Sequence, residues 1–126
     1  MFEITTELSF SAAHRLKDYE GPCENVHGHN WLVRATVRCE ELDKIGIGID
    51  FRDLKKALKT VLEKLDHADL NTLFEGPVMN PSSENIARSI YHDLGALLPR
   101  SACRVYRVEV FETPGNSAAY LEERDA

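Results

Sequence analysis

Residues 2–13 alternate with a period of two, and the pattern runs directly into a histidine. Phe2, Ile4, Leu8, Phe10 and Ala12 share one parity, with Thr6 the polar exception; Glu3, Thr5, Glu7, Ser9 and Ser11 share the other. This is the period of a half-buried strand, whose side chains point alternately to opposite faces. His14 has the parity of the apolar set, so the pattern predicts that its imidazole projects toward the interior or a lined cleft. The chain then supplies His27-Gly28-His29, which brings three of the five histidines within sixteen residues. If that triplet is extended, both imidazoles lie on one side of it, and the glycine leaves room for the backbone to approach an ion. Imidazole is the commonest protein ligand for zinc, and three histidines with one open position is the pattern of a catalytic rather than a structural zinc site. The bland alternative is three ordinary core or surface histidines without a metal.

Alternation resumes from His29, with Trp31, Val33, Ala35, Val37 and Cys39 on one side and Asn30, Arg34, Thr36 and Arg38 mostly opposite. The two strands are expected to pair antiparallel, although residues 15–26 form too long a loop for a tight hairpin. Asp50 stands where an N-cap belongs, and Leu54, Leu58, Val61, Leu62 and Leu65 follow helical spacing, which predicts a helix over 51–64. Leu65-Asp66-His67 closes it, and residues 71–81 read as a second loop. Ser82-Ser83-Glu84-Asn85 starts another amphipathic helix, marked by Ile86, Ile90, Leu94, Leu97 and Leu98 and closed before Pro99. Residues 104–113 alternate again, with Tyr106, Val108 and Val110 against Arg107 and Glu109, and Glu112 keeps the parity of the apolar set. A last strand over 118–122 is expected after the Pro114-Gly115-Asn116 turn. The order ββααββ predicts a single α+β domain over 1–126, an antiparallel four-stranded sheet with two helices on one face.

The 126 residues are 43% hydrophobic and 29% charged, with a formal net charge of −6. That balance argues against nucleic acid as a direct partner, because binding a polyanion needs a clustered basic face. No window approaches the roughly 18 apolar residues of a membrane span. The start MFEITTELSF lacks the pattern of a signal peptide. Cys23, Cys39 and Cys103 are odd in number and widely spaced, which argues against a disulfide framework and for a reducing, cytoplasmic setting. On that reading Cys39 and Cys103 are structural thiols.

CENVHGH after the strand-terminal His14, GIGIDFRDLKK, Leu65-Asp66-His67, the SSEN helix start and the VEVFET strand occur in an order that resembles the 6-pyruvoyl-tetrahydropterin synthase family. The resemblance runs from about Phe2 to Tyr120. Three residues between Cys23 and His27 look like the bacterial 6-carboxy-tetrahydropterin synthase branch, which serves queuosine biosynthesis. It implies the tunnelling fold, in which subunits join through their sheets into a barrel and sites form at subunit boundaries. A homo-oligomer built from trimers, as a hexamer, is the family expectation. The implied metal is Zn2+, held by His14, His27 and His29. The implied catalytic groups are Cys23 as general base and Asp66 with His67 as a proton relay. Glu112 would anchor the pterin, and Ser82, Ser83 and Glu84 would help hold it from a neighbouring subunit.

The implied reaction turns 7,8-dihydroneopterin triphosphate into 6-carboxy-tetrahydropterin, acetaldehyde and triphosphate. Such chemistry must remove protons from side-chain carbons beside hydroxyls and carbonyls, and a Lewis acid on the side-chain oxygens acidifies those C–H bonds. A thiol of ordinary pKa near ~8.5 becomes a useful base when a cation lowers that value. Each role has a competitor. Cys23 as a fourth zinc ligand would close the site. Asp66 and His67 also suit an ordinary helix C-terminus, and Glu112 an edge-strand charge. Ser82 and Ser83 also suit caps. Arg15 and Lys17 are equally suited to meet the triphosphate or to lie solvated in the loop. At the level of function the competitors are pyruvoyl-pterin formation without carbon–carbon cleavage, aldolase-like cleavage using Glu24, and a pterin- or purine-binding module with a structural zinc.

Overall fold

The computed structural model describes residues 1–17, 25–74, 80–99 and 102–123. Its strands and helices follow in the order β1 (Phe2–His14), β2 (His27–Cys39), α1 (Phe51–Glu63), β3 (Ala68–Asp69), α2 (Leu70–Leu73), α3 (Ser83–Leu97), β4 (Cys103–Thr113) and β5 (Asn116–Tyr120). The expected antiparallel sheet is present, with a fifth, two-residue strand added at one edge: the spatial order is β3-β1-β2-β4-β5. β3 pairs parallel to Ala12 and Ala13 of β1, and the one-turn α2 follows it directly. Both are too short to leave a periodic signal. The last strand starts two residues earlier than expected because the turn takes only Pro114 and Gly115, so that Asn116 already pairs with Thr113.

α1 and α3 cover one face of the sheet, α1 against β1 and α3 against β4 and β5. Leu54, Leu58, Val61 and Leu62 of α1 and Ile86, Ala87, Ile90, Tyr91 and Leu94 of α3 are buried, matching the helical spacing of the sequence. All but Leu54 join the apolar sheet residues Phe10, Trp31, Val33, Ala35, Val108 and Val110 in one core, while Leu54 packs with Val37, Cys39 and Cys103. Burying each such side chain contributes roughly 1.5–3 kcal/mol, so this one-sided burial is what holds helices and sheet together. Both helices are capped as expected: Asp50 accepts from the Arg52 N–H, and Ser82 from the Asn85 N–H.

The other face of the sheet carries charges in cross-strand register. Arg34 Nε donates to Glu7 at 2.7 Å, and Arg38 Nε to Glu3 at 3.0 Å. Tyr106 belongs to this face rather than to the apolar set, with the Arg38 guanidinium 3.4 Å above its ring. The reason is a bulge: the β2–β4 register shifts between Thr36 and Val37, and β4 accommodates one extra residue there. The extra residue reverses the parity of β4, as β-bulges do.

The same shift places Cys103 opposite Cys39, and the two form a disulfide across 64 residues of sequence. The expectation of two separate thiols is therefore overturned, and with it the cysteine argument for a reducing compartment. Gly48 closes over this bond. A Cβ there would lie 2.9 Å from Cys39 Sγ and from Ile4 Cδ1, so no larger residue fits without displacement.

Candidate metal centre

The antiparallel register of β1 and β2 sets His14 directly opposite His27 and Ala12 opposite His29. The two-residue period of β2 turns His27 and His29 to the same face, the one on which His14 already lies. Three imidazoles thus converge at the end of the ladder, on the helix-covered side. Trp31, fully buried two residues further on, stacks edge-on against His14 and His29 and donates its indole N–H to Ala12 O at 3.2 Å. Glu112 arrives from β4, where the register with β5 breaks between Phe111 and Thr113. Its Oε1 lies 2.9 Å from His14 Nε2 and 3.3 Å from His29 Nε2. All four donor atoms lie within 4.8 Å of one another.

Two of the rings are oriented by backbone carbonyls. His14 Nδ1 lies 2.7 Å from Pro81 O, and His27 Nδ1 lies 2.6 Å from Asn25 O. A carbonyl only accepts, so each Nδ1 carries the proton and each Nε2 of the neutral ring presents a lone pair. Those two Nε2 atoms are 2.9 Å apart. Two lone pairs facing each other at that distance, with a carboxylate beside them, require a cation or a shared proton between them. Burial pushes the His29 imidazole below its ordinary pKa, with Glu112 opposing and His27 and His14 adding to the effect. Apart from its 3.3 Å approach to Glu112, His29 Nε2 is moreover buried without a hydrogen-bond partner among the described residues. Ligands about 2.0–2.1 Å from a tetrahedral zinc lie about 3.3 Å apart, close to the 2.9 and 3.3 Å separations between His14 and His27, His14 and Glu112, and His29 and Glu112. The donor set fits a divalent metal.

The proposed relay pair sits elsewhere. His67 Nδ1 lies 3.1 Å from Asp66 Oδ1, but the imidazole is 82% exposed and does not join the histidine cluster. Its backbone is left-handed, with φ 58°, and is held by donation of its N–H to Ser11 O. Asp66 Oδ1 also accepts the Ser11 N–H at 2.9 Å, which holds its carboxyl below the usual range. With Ser11, Asn30, Gly28 and His29, His67 lines an open cavity of about 430 Å³ over β1. A methyl group at Gly28 would make only ordinary contact, 3.9 Å from Ala12 O, so this glycine is not required by crowding among the described residues.

Ser82 uses its hydroxyl as the helix cap, while Ser83 and Glu84 follow in the first turn of α3. They stand next to Pro81, whose carbonyl orients His14. Cys23 and Glu24 lie outside the described residues. Residues that the sequence reading missed are two asparagines that grip the chain just after β1. Asn71 bonds both the N–H and the C=O of Arg15, and Asn80 does the same for Lys17. Each imitates a neighbouring strand, and neither has a local sequence signal because its partner lies more than fifty residues away.

An α+β sheet protein with three imidazoles and a carboxylate at one strand end belongs to the class that can hold a divalent metal. The chain belongs to the 6-pyruvoyl tetrahydropterin synthase family, whose model matches residues 3–123. It is 33% identical over 136 residues to 6-pyruvoyl tetrahydrobiopterin synthase of Homo sapiens, covering 96% of this chain and 92% of that one. It is also 33% identical over 131 residues to 6-carboxy-5,6,7,8-tetrahydropterin synthase of Bacillus subtilis, covering 98% and 87%. The structure matches that of Caenorhabditis elegans 6-pyruvoyl tetrahydropterin synthase with a TM-score of 0.80 and 31% identity, covering 98% of each chain.

Proposed function

We propose that the protein is a zinc-dependent lyase that converts 7,8-dihydroneopterin triphosphate, with water, to 6-carboxy-tetrahydropterin, acetaldehyde and triphosphate, a reaction of 7-deazaguanine and queuosine biosynthesis. The observation that carries this reading is the convergence of His14, His27, His29 and Glu112 in a chain of this family. The carboxy branch is favoured over the pyruvoyl branch by the three residues between Cys23 and His27. Both kinds of enzyme occur among the relatives at equal identity, so the product decides.

In this reading His14, His27 and His29 hold the zinc, which when bound polarises the substrate's side-chain oxygens. Cys23 removes a proton from the activated side chain. His67, with its Nδ1 facing Asp66, returns or accepts one at its outward nitrogen, so that Asp66 fixes the tautomer of its partner. Glu112 accepts paired N–H bonds from the pterin ring, helped by Ser82, Ser83 and Glu84 at the start of α3. His67 is exposed and is not among the converging donors, which suits a site completed by a second copy of the chain. The outer edge of β1 before Ala12 and the outer edge of β5 are unpaired among the described residues and suit joining copies into a barrel. A charged triphosphate substrate crosses no membrane unaided, which supports a cytoplasmic setting. Among the described residues no helix is long and apolar enough to span a membrane.

The test is product analysis on protein of measured metal content. Acetaldehyde released together with triphosphate supports the proposal. A pyruvoyl-pterin without acetaldehyde identifies the other branch, and no turnover with full zinc leaves a pterin-binding module.

A further inference from the structure

We propose that Glu112 is an exchangeable fourth ligand: in the substrate-free protein its carboxylate closes the coordination of an ion held by His14, His27 and His29, and on pterin binding it turns to the ring N–H donors and opens that position. The inference rests on the pterin reading above and adds to it how the open position arises. Its ground is the geometry of the four donors. Glu112 Oε1 stands 2.9 and 3.3 Å from two imidazole nitrogens, close to the edge of a tetrahedron of ligands around zinc.

The four donors are not equally fixed. His14 is 1% exposed and tied to Pro81 O, and His27 is tied to Asn25 O. Glu112 is 28% exposed, comes from an irregular point of β4, and makes its ion-pair contacts to the two imidazoles themselves. It is therefore the member that can leave without dismantling the rest. A carboxylate also matches both partners chemically, since it binds zinc through oxygen and accepts paired N–H donors. A closed site would shield the ion from stray ligands until the substrate arrives.

Cobalt(II) in place of zinc reports coordination through its visible absorption, independently of turnover. Without pterin, Glu112→Ala and Glu112→Gln are expected to change the spectrum of the cobalt protein. Both should also weaken zinc binding about tenfold or more in competition with a chromophoric chelator. Neopterin, which lacks the triphosphate, should move the wild-type spectrum toward that of Glu112→Ala. Variant spectra and zinc affinities that coincide with wild type overturn the ligand role. A wild-type spectrum that stays unchanged while neopterin fluorescence is quenched overturns the exchange. Absence of any neopterin binding counts against the pterin reading instead, and the exchange falls with it, while the ligand role is still judged by the variants alone. The wild-type measurement needs no variant to fold.

Discussion

Asp66 reaches back across 55 residues to accept the backbone N–H of Ser11 through Oδ1, while Ser11 O accepts the N–H of His67. One strand residue thereby fixes both members of the exposed acid–base pair. The Ser11 N–H, followed by His67, lowers the carboxyl pKa from its ordinary 3.8. A depressed carboxyl contributes stability that is complete above the unfolded value and is lost as pH falls through the folded one. The thermal midpoint of wild type should therefore exceed that of Asp66→Asn by a constant margin near neutrality. That margin should shrink once the pH drops below 3.8. A margin unchanged down to the acid limit would mean that the Ser11 bond stabilises nothing.

Removing an imidazole should disarm the metal centre more than removing an orienting group. His14→Ala is expected to weaken zinc binding by more than the 10- to 100-fold typical of losing an outer partner, read by chelator competition. Chelator treatment of wild type should lower the melting temperature, because an ion bound only by the folded state stabilises it. Equal melting with and without chelator would speak against a folded-state ion.

The Cys39–Cys103 bond closes a loop of 64 residues, for which restriction of the unfolded chain gives about 4 kcal/mol. Denatured but unreduced protein should show one free thiol of its three cysteines, and all three after reduction. Reductant should lower the melting temperature of wild type and leave Cys39→Ala/Cys103→Ala unaffected. Three thiols before reduction would remove the bond from the account.

Ser82→Ala should cost about 1 kcal/mol of stability through loss of the α3 cap, with Ser82→Asp restoring it. If the hydroxyl instead serves the pterin, the Asp variant will recover stability but not KM.

Light scattering at micromolar protein should give a multiple of the chain mass. A monomer would contradict a site completed between copies, and the exposed position of His67 would then need another explanation.

Much of this architecture was legible in the sequence because period-two and period-3.6 patterns report burial directly. The parity of His14, His29 and Glu112 anticipated the face they share, and the caps at Asp50 and Ser82 lie where their hydrogen-bonding chemistry put them. What stayed hidden depends on distant partners or single-residue irregularities. Pro81 orients His14 from 67 residues away. Tyr106 changes face, and Cys103 rather than Arg104 meets Cys39, because one extra residue enters β4. Alternation read along one strand cannot locate such an insertion. β3 and α2 span two and four residues, less than either period needs.

β2 is fastened at its two ends by unlike chemistry, imidazoles at His27 and His29 and a covalent bond at Cys39. A one-step slip of this strand would turn His27 and His29 to the charged face, away from His14 and Glu112, and pull the sulfurs apart. An ion that fits and a bond that forms are therefore two independent proofreaders of the same alignment. A chain that misaligns while folding would lack both rewards, so oxidant and metal supplied together during refolding should raise the yield of correctly aligned protein.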